Sequence, residues 1–293
     1  MPKPVRITSP GNPRIKRVVK LRNHRDRRKA GLFIAEGARE VSRAAAAGLH
    51  VRELFVSPEL LVGVREGESA VETWQRAADE VGRACPGLGE DVGWLSVPPP
   101  VFRKMAYLRE PEGLLAVVDQ PSWTLEALPA VTGRTLYLVA VGIEKPGNLG
   151  AMVRTAEAAG CDAVLAADSP GDVFNPNAIR ASTCAVFALP TVAAPSEAIV
   201  NWLADKHVRV MAATPRGAVA HTAADWQGPV AVAIGAEDVG LDKAWLNAAD
   251  RSGGQRVLIP MRGRLVDSLN ASAAAAVLLF EARRALGAEA PVG

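Results

Sequence analysis

Apolar positions along this chain fall into short runs separated by polar, glycine- or proline-bearing stretches, and their spacing alternates between strand and helix periods. Leu32 to Glu36, Val51 to Val56, Val92 to Val97 and Leu114 to Val118 read as strands. Gly37 to Ala47, Glu68 to Arg83 and Pro99 to Arg109 read as helices between them, with Val71, Trp74, Ala77 and Val81 near one face of the second. Ahead of these, Ile7 to Pro13 is rich in turn residues, and Pro13 suits a first helical position, where no amide donor is needed. Ile15, Val18, Val19 and Leu21 give that helix an apolar stripe among basic residues. The alternation predicts a small α/β domain over residues 1–119. Pro121, Pro129 and Gly133 then interrupt the pattern, so 120–133 is expected to be a linker, unless Trp123 to Leu128 docks as a turn.

A second alternating series follows over 134–293: Thr135 to Gly142, Gly147 to Gly160, Ala163 to Ala167, Pro176 to Ser182, Ala185 to Pro190, Glu197 to Lys206, Val208 to Ala213, Val230 to Gly235, Lys243 to Ala249, Arg256 to Pro260 and Asp267 to Leu286. Strands this short and apolar predict a parallel sheet covered on both faces. The chain is an α/β protein of 293 residues, enough for two compact domains, and 49% hydrophobic with 22% charged residues fits a globular protein. Gly142 and Gly147 do not fit the dinucleotide fingerprint, and no phosphate-loop Gly-Lys-Ser/Thr occurs.

Charge changes the picture more than composition does. The net charge of +3 conceals eleven Lys or Arg and one acid, Asp26, within residues 1–30, so the remainder is acidic. Arg14, Lys16, Arg17, Arg25, Arg27 and Arg28 are therefore candidates to hold the phosphates of a nucleic acid, against the alternative of a merely solvated helix face. Aromatic residues are scarce there, which favours recognition of shape and phosphate over base stacking. The cysteines (Cys85, Cys161, Cys184) and histidines (His24, His50, His207, His221) lack metal or disulfide spacing, so all seven read as structural or surface residues and no metal is expected. No apolar run approaches a membrane span and no signal-peptide core follows the basic start, so a cytoplasmic protein with no membrane partner is expected.

Candidate chemistry gathers in three segments that each follow a run of β-formers: Glu144 to Ala156 (EKPGNLGAMVRTA), Ile234 to Leu241 (IGAEDVGL) and Ile259 to Ser272 (IPMRGRLVDSLNAS). Loops at such positions are where open α/β sheets meet ligands, so the three predict one composite site. Together and in this order they resemble the three motifs of the SpoU-type RNA ribose methyltransferases, of the SPOUT class. The two-domain layout also resembles relatives of the thiostrepton and avilamycin resistance type. The Asn12-Pro13 entry, the basic helix and Phe33 to Gly37 are similar, more loosely, to the family's added N-terminal RNA-holding domain, whose fold is like that of certain ribosomal proteins.

The resemblance implies transfer of a methyl group from S-adenosylmethionine to a ribose 2′-oxygen of RNA, with ribosomal RNA of the large subunit as the expected substrate. It also implies a deep trefoil knot, for which the small residues Ala271 to Ala276 would be suited, and a homodimer formed through the C-terminal domain. Arg154 would stabilise charge on the reacting oxygen, or act as a base as some accounts have it, and could serve the other subunit's site; a surface pair with Glu157 is the bland alternative. Asn148 would orient ribose or backbone, or cap a helix. Glu237 would accept a hydroxyl or fix Arg154, or lie on a surface loop. Ser268 and Asn270 would complete the catalytic set. Gly235, Ala236, Glu237, Gly240, Ile259, Met261, Ser268 and Leu269 would bind the cofactor, while Asp267 or Ser268 could cap the last helix. Arg262 and Arg264 could meet phosphate or solvent. The competing readings are a transfer-RNA enzyme and a non-catalytic RNA-binding or assembly factor of the same fold; the intact polar set counts against the latter.

Overall fold

The computed structural model describes residues 3–169, 171–216, 219–265 and 268–287. The chain divides into two compact units, the first comprising residues up to Pro121 together with Phe174–Arg180, the second Ser122–Val173 and the chain from Ala181.

The first unit holds β1 (Val5–Arg6), α1 (Pro13–Lys20), α2 (His24–Ala30), β2 (Leu32–Glu36), α3 (Ala38–Ala46), β3 (Val51–Val56), α4 (Pro58–Leu61), α5 (Ala70–Ala84), β4 (Gly93–Ser96), α6 (Pro99–Met105) and β5 (Leu114–Asp119). Its sheet runs β1-β4-β3-β5-β2, with β1, β4 and β3 parallel and β5 antiparallel to both β3 and β2. Local chemistry sets the helix starts. Asn12 accepts from the Arg14 amide ahead of Pro13, and Asn23 does the same for α2. Ser69 and Glu72 form a reciprocal capping box at α5. Ile15, Val18 and Leu21 pack with Phe102 and Met105 of α6 in one buried cluster. Val71 departs from the expected helix face: it is 72% exposed, and Thr73, Ala77, Ala78 and Val81 are the buried positions.

Arg27 corrects one of the expected RNA contacts. It is 1% exposed, and its Nη1 donates to the Leu21 carbonyl at 2.6 Å, so its charge is spent inside the fold. Arg27→Ala should lower stability by about 1–3 kcal/mol, because a buried hydrogen-bonded group is lost along with its packing. A thermal melt unchanged from wild type would contradict this.

In the same unit, His50 donates or accepts through both ring nitrogens, Nδ1 to Asp119 at 2.7 Å and Nε2 to Asp91 at 3.0 Å. The hydrogen bond to Asp119, then that to Asp91, raises its pKa above the ordinary value. The stability it adds is therefore complete below about pH 6.5 and is lost as pH rises through the raised value. Denaturation midpoints of wild type and His50→Gln should converge as pH climbs from 6 to 9.

The second unit continues with β6 (Leu136–Val141), α7 (Pro146–Ala158), β7 (Ala163–Ala167), α8 (Pro176–Ala181), β8 (Thr191–Ala194), α9 (Ser196–Asp205), β9 (Arg209–Ala213), β10 (Val219–Ala220), β11 (Val230–Gly235), α10 (Lys243–Arg251), β12 (Gln255–Leu258) and α11 (Ala271–Ala285). Most of α8 is grouped with the first unit, where Phe174 stacks on Phe33 and Asn177 Nδ2 donates to Tyr107 Oη at 2.9 Å. The seven-stranded sheet runs β10-β12-β9-β11-β6-β7-β8, with every pairing parallel. β6 and β11 lie at its middle and are buried at all six positions each, as strands covered on both faces must be.

Four expectations for this unit change. Ala185–Phe187 is a 3-10 turn rather than a strand, and the strand comes later as β8, after Pro190. Within 120–133 the linker gives way to the alternative of a docked turn: the chain from Ser122 belongs to the second unit, Leu125 is buried in its core, and Trp123, Leu128 and Val131 pack against that core. Asn148 is not a cap, since α7 begins at Pro146 after Lys145. Finally, α11 starts at Ala271 and is capped by Asn270, not by Ser268; Asp267 lies outside the described residues.

Cys85, Cys161 and Cys184 are buried, and burial pushes the Cys85 thiol up to about 11. Among the described residues no helix is long and apolar enough to cross a membrane, and no group of three or more His, Cys, Asp or Glu is arranged to hold a metal ion.

Candidate active site

Three chain segments at the carboxyl ends of parallel strands converge in the second unit. Asn148 lies in the first turn of α7 after β6, Glu237 follows β11, and Asn270 ends the path from β12 to α11. Glu237 joins them. Its Oε1 accepts from Asn148 Nδ2 at 3.1 Å and from Asn270 Nδ2, and its Oε2 lies 3.8 Å from Lys145 Nζ. Asn270 is held from its other end too, because its Oδ1 accepts from the Ser272 amide at 2.9 Å as the cap of α11. The amide is thereby oriented, oxygen to the helix and nitrogen to the carboxylate.

The loop carrying Glu237 is a tight return. Gly240 N donates to Ala236 O at 2.8 Å, the two residues form a bridge, and Gly240 has φ +70. A Cβ on Gly235 would lie 2.2 Å from the Gly240 carbonyl carbon and oxygen, so glycine is required by closure of the loop on itself.

Two cavities flank the loop and share Ala236, Glu237 and Gly240 as a common wall. The narrower, about 130 Å³, is lined by Ile234, Ile259, Met261, Leu269, Ala274 and Leu278, with Gly235 and Ser268 at its edge. All eight residues expected at the cofactor border this space. The wider, about 500 Å³, is bordered by Gly142, Glu144, Lys145, Asn148, Asp168 and Asp238. An apolar cleft beside a polar one offers a place for a flat heterocycle next to a place for a hydroxylated, charged group.

Residues 135–280 match the model of the SpoU rRNA Methylase family, and residues 12–116 match that of the MRM3-like substrate binding domain. The 23S rRNA (uridine(2479)-2′-O)-methyltransferase of Streptomyces viridochromogenes is 32% identical over 275 residues, covering 90% of this chain and 86% of its own. The chain belongs to the SpoU family. The crystal structure of an RNA 2′-O ribose methyltransferase is 38% identical, with a TM-score of 0.74 over 96% of this chain and 99% of that one. The SpoU methyltransferase AviRb of Streptomyces viridochromogenes, in complex with AdoMet, is 28% identical, with a TM-score of 0.78 over 93% and 97%.

Against this SpoU framework, Asn148, Glu237 and Asn270 are brought together by hydrogen bonds, and Ser268 joins Glu237 at the narrower cavity. Arg154 is not among the residues bordering either cavity. It is exposed on α7 and does not pair with Glu157. Arg262 and Arg264 are exposed as well. In the first unit Lys16, Arg25 and Arg28 are exposed, whereas Arg14 and Arg17 both pair with Glu53. Sequence reasoning missed Lys145, Asp168 and the Thr214-Pro215 pair, which border one cavity or the other. The signal was present: Asp168 and Thr214 directly follow β7 and β9, the same position that singled out the three motifs.

Proposed function

We propose that the protein methylates a ribose 2′-hydroxyl of 23S rRNA, using S-adenosylmethionine, in the cytoplasm. The observation that carries this reading is the Glu237 carboxylate, which ties Asn148 and Asn270 together on the wall shared by an apolar and a polar cavity. The cofactor's site is tested by its lining. Ile259, Met261 and Leu269 supply apolar surface for an adenine, while Gly235, Ala236 and Gly240 offer backbone polar groups at a strand end. These residues fit S-adenosylmethionine and would hold it. When bound, it supplies an electrophilic methyl group on a sulfonium.

The rest falls to the chain's own side chains. A ribose hydroxyl is a weak acid, so a group must favour the negative charge that grows on its oxygen. Arg154 takes that role electrostatically, since a guanidinium keeps its proton. Asn148, held by Glu237, orients the ribose or its neighbouring backbone. Exposed on α7 and outside both cavities of its own chain, Arg154 acts in the site of a second copy, which makes the enzyme a homodimer through the C-terminal unit. Phe280 on α11, which packs beside α7 and is 52% exposed, supports pairing on that side. The finer topology is a trefoil knot, with the chain before α11 threaded through an earlier loop. The first unit holds the RNA through a fold like that of ribosomal proteins.

The deciding experiment gives purified protein methyl-labelled S-adenosylmethionine and 23S rRNA from cells lacking the gene. Label should appear in one 2′-O-methylnucleoside after digestion. Label in a base, or in transfer RNA alone, would overturn the reading.

A further inference from the structure

The first unit has two helical layers that differ in charge balance. α1 and α6 cover one face of its sheet through Ile15, Val18, Phe102 and Met105, whereas α3 and α5 pack with each other by β5 and β2. On α5, Arg76 and Arg83 are balanced by Glu72, Asp79 and Glu80. On the α1–α6 side the balance fails. α2 exposes Arg25, Arg28 and Lys29, α6 exposes Arg103 and Lys104, and none of these five makes an ion pair among the described residues.

Residues far apart in sequence are joined here by a specific device. Arg22, at the corner between α1 and α2, donates to the Lys104 carbonyl at 2.8 Å and to that of Ala106. It thereby satisfies the open carbonyls at the carboxyl end of α6, where a positive charge is favoured. Lys104 Nζ lies 3.5 Å from the Pro10 carbonyl, just ahead of α1. The last turn of α6 is thus fixed beside the basic corner, although it lies some eighty residues downstream.

We propose that Arg103 and Lys104 form, with Arg25, Arg28 and Lys29, one phosphate-binding surface for duplex RNA. The inference rests on the RNA-methylation reading for the identity of the polymer only. Five uncompensated cations, on α6 and on the helix that follows the Arg22 corner, match a polyanion, and each phosphate they neutralise releases counterions. Proteins that bind single strands interleave such charge with stacking rings. On these helices Phe102 is buried and the one exposed ring is the imidazole of His24, no platform for successive bases. Backbone phosphates and the shape of an A-form helix are what this surface can read.

Fluorescence anisotropy tests this with the full-length protein, a labelled RNA duplex of about 16 base pairs and no methyl donor, over a salt series. Arg103→Ala with Lys104→Ala should weaken binding about tenfold near 0.1 M salt and make the log–log salt slope shallower by about two. Arg103→Lys, which keeps the charge, should restore its share of the slope in a Lys104→Ala background. The matched pair Arg65→Ala with Arg83→Ala, on the other side of the unit, should leave both quantities unchanged. A labelled oligouridine of equal length should bind more weakly than the duplex. An unaltered slope in the Arg103/Lys104 variant, an equal loss in the Arg65/Arg83 variant, or preference for the single strand would each overturn the assignment. Methyl transfer, absent from this assay, can survive any of those results; conversely, tight duplex binding by a protein that never methylates RNA would sink the enzymatic reading alone.

Discussion

Arg154→Ala should slow methyl transfer by about a thousandfold, the upper range for removing one group that stabilises a developing oxyanion, while S-adenosylmethionine binds as in wild type. The separation follows from where the residue stands. Arg154 borders neither cavity of its own chain, so its loss touches no wall of the cofactor cleft. Its neighbours Leu149, Met152, Val153 and Ala156 are buried and hold α7 in place without it, so the variant should fold normally. Calorimetric titration with the cofactor and single-turnover methylation measure the two quantities separately. A matched loss of cofactor affinity would put Arg154 in the cleft instead of beside the acceptor. Mixing Arg154→Ala protein with a variant defective in the cofactor cleft extends the test: if the guanidinium crosses to a second copy, hybrid dimers regain one intact site, and partial activity returns. No recovery would make the residue act within its own chain.

What could be read from the sequence, and what could not, follows the physics of each element. β2 and β3 coincide with the expected runs because each carries a block of consecutive buried apolar residues, Leu32 to Ala35 in β2 and Leu54 to Val56 in β3. β8 was missed because its later residues, Ala193 and Ala194, are exposed or half-buried and small, while the preceding Ala185–Phe187 turn is more apolar than the strand itself. The two-residue β10 carries no period at all. Val71 looked like part of the α5 stripe, but Thr73 takes the buried place because its Oγ1 is satisfied by the Ser69 carbonyl at 3.0 Å. Charge is legible and its burial is not: Arg25, Arg27 and Arg28 are alike in sequence, yet the middle one turns inward to a carbonyl. The grouping of Gly235, Ile259 and Leu269 around one cavity was legible because motif spacing encodes strand ends. Glu237 as the link between two asparagines was not, because nothing in the spacing says which side chains point at each other.

Gly235→Ala should weaken S-adenosylmethionine binding at least tenfold, equivalent to about 1.4 kcal/mol or more, the range expected when an added methyl has no room. The crowding is with backbone: the new Cβ would lie 2.2 Å from the Gly240 carbonyl carbon and oxygen and 2.6 Å from the Leu241 nitrogen. No side-chain rotation relieves that, so the return from Ala236 to Gly240 has to open. Opening moves the wall common to both cavities and pulls Glu237 away from Asn148 and Asn270, so acceptor positioning fails together with cofactor binding. Gly240→Ala provides the contrast. Its Cβ would meet nothing within 4 Å, but its φ of +70 burdens any other residue with about 1–2 kcal/mol of strain. That variant should be destabilised yet still bind the cofactor at low temperature, whereas the Gly235 variant should fail to bind even when fully folded. Comparing calorimetric affinity at 10 °C with the circular dichroism of each variant separates the two causes. Wild-type affinity in Gly235→Ala would mean that the loop tolerates opening and that cofactor affinity comes from the Ile259 to Leu269 segment alone.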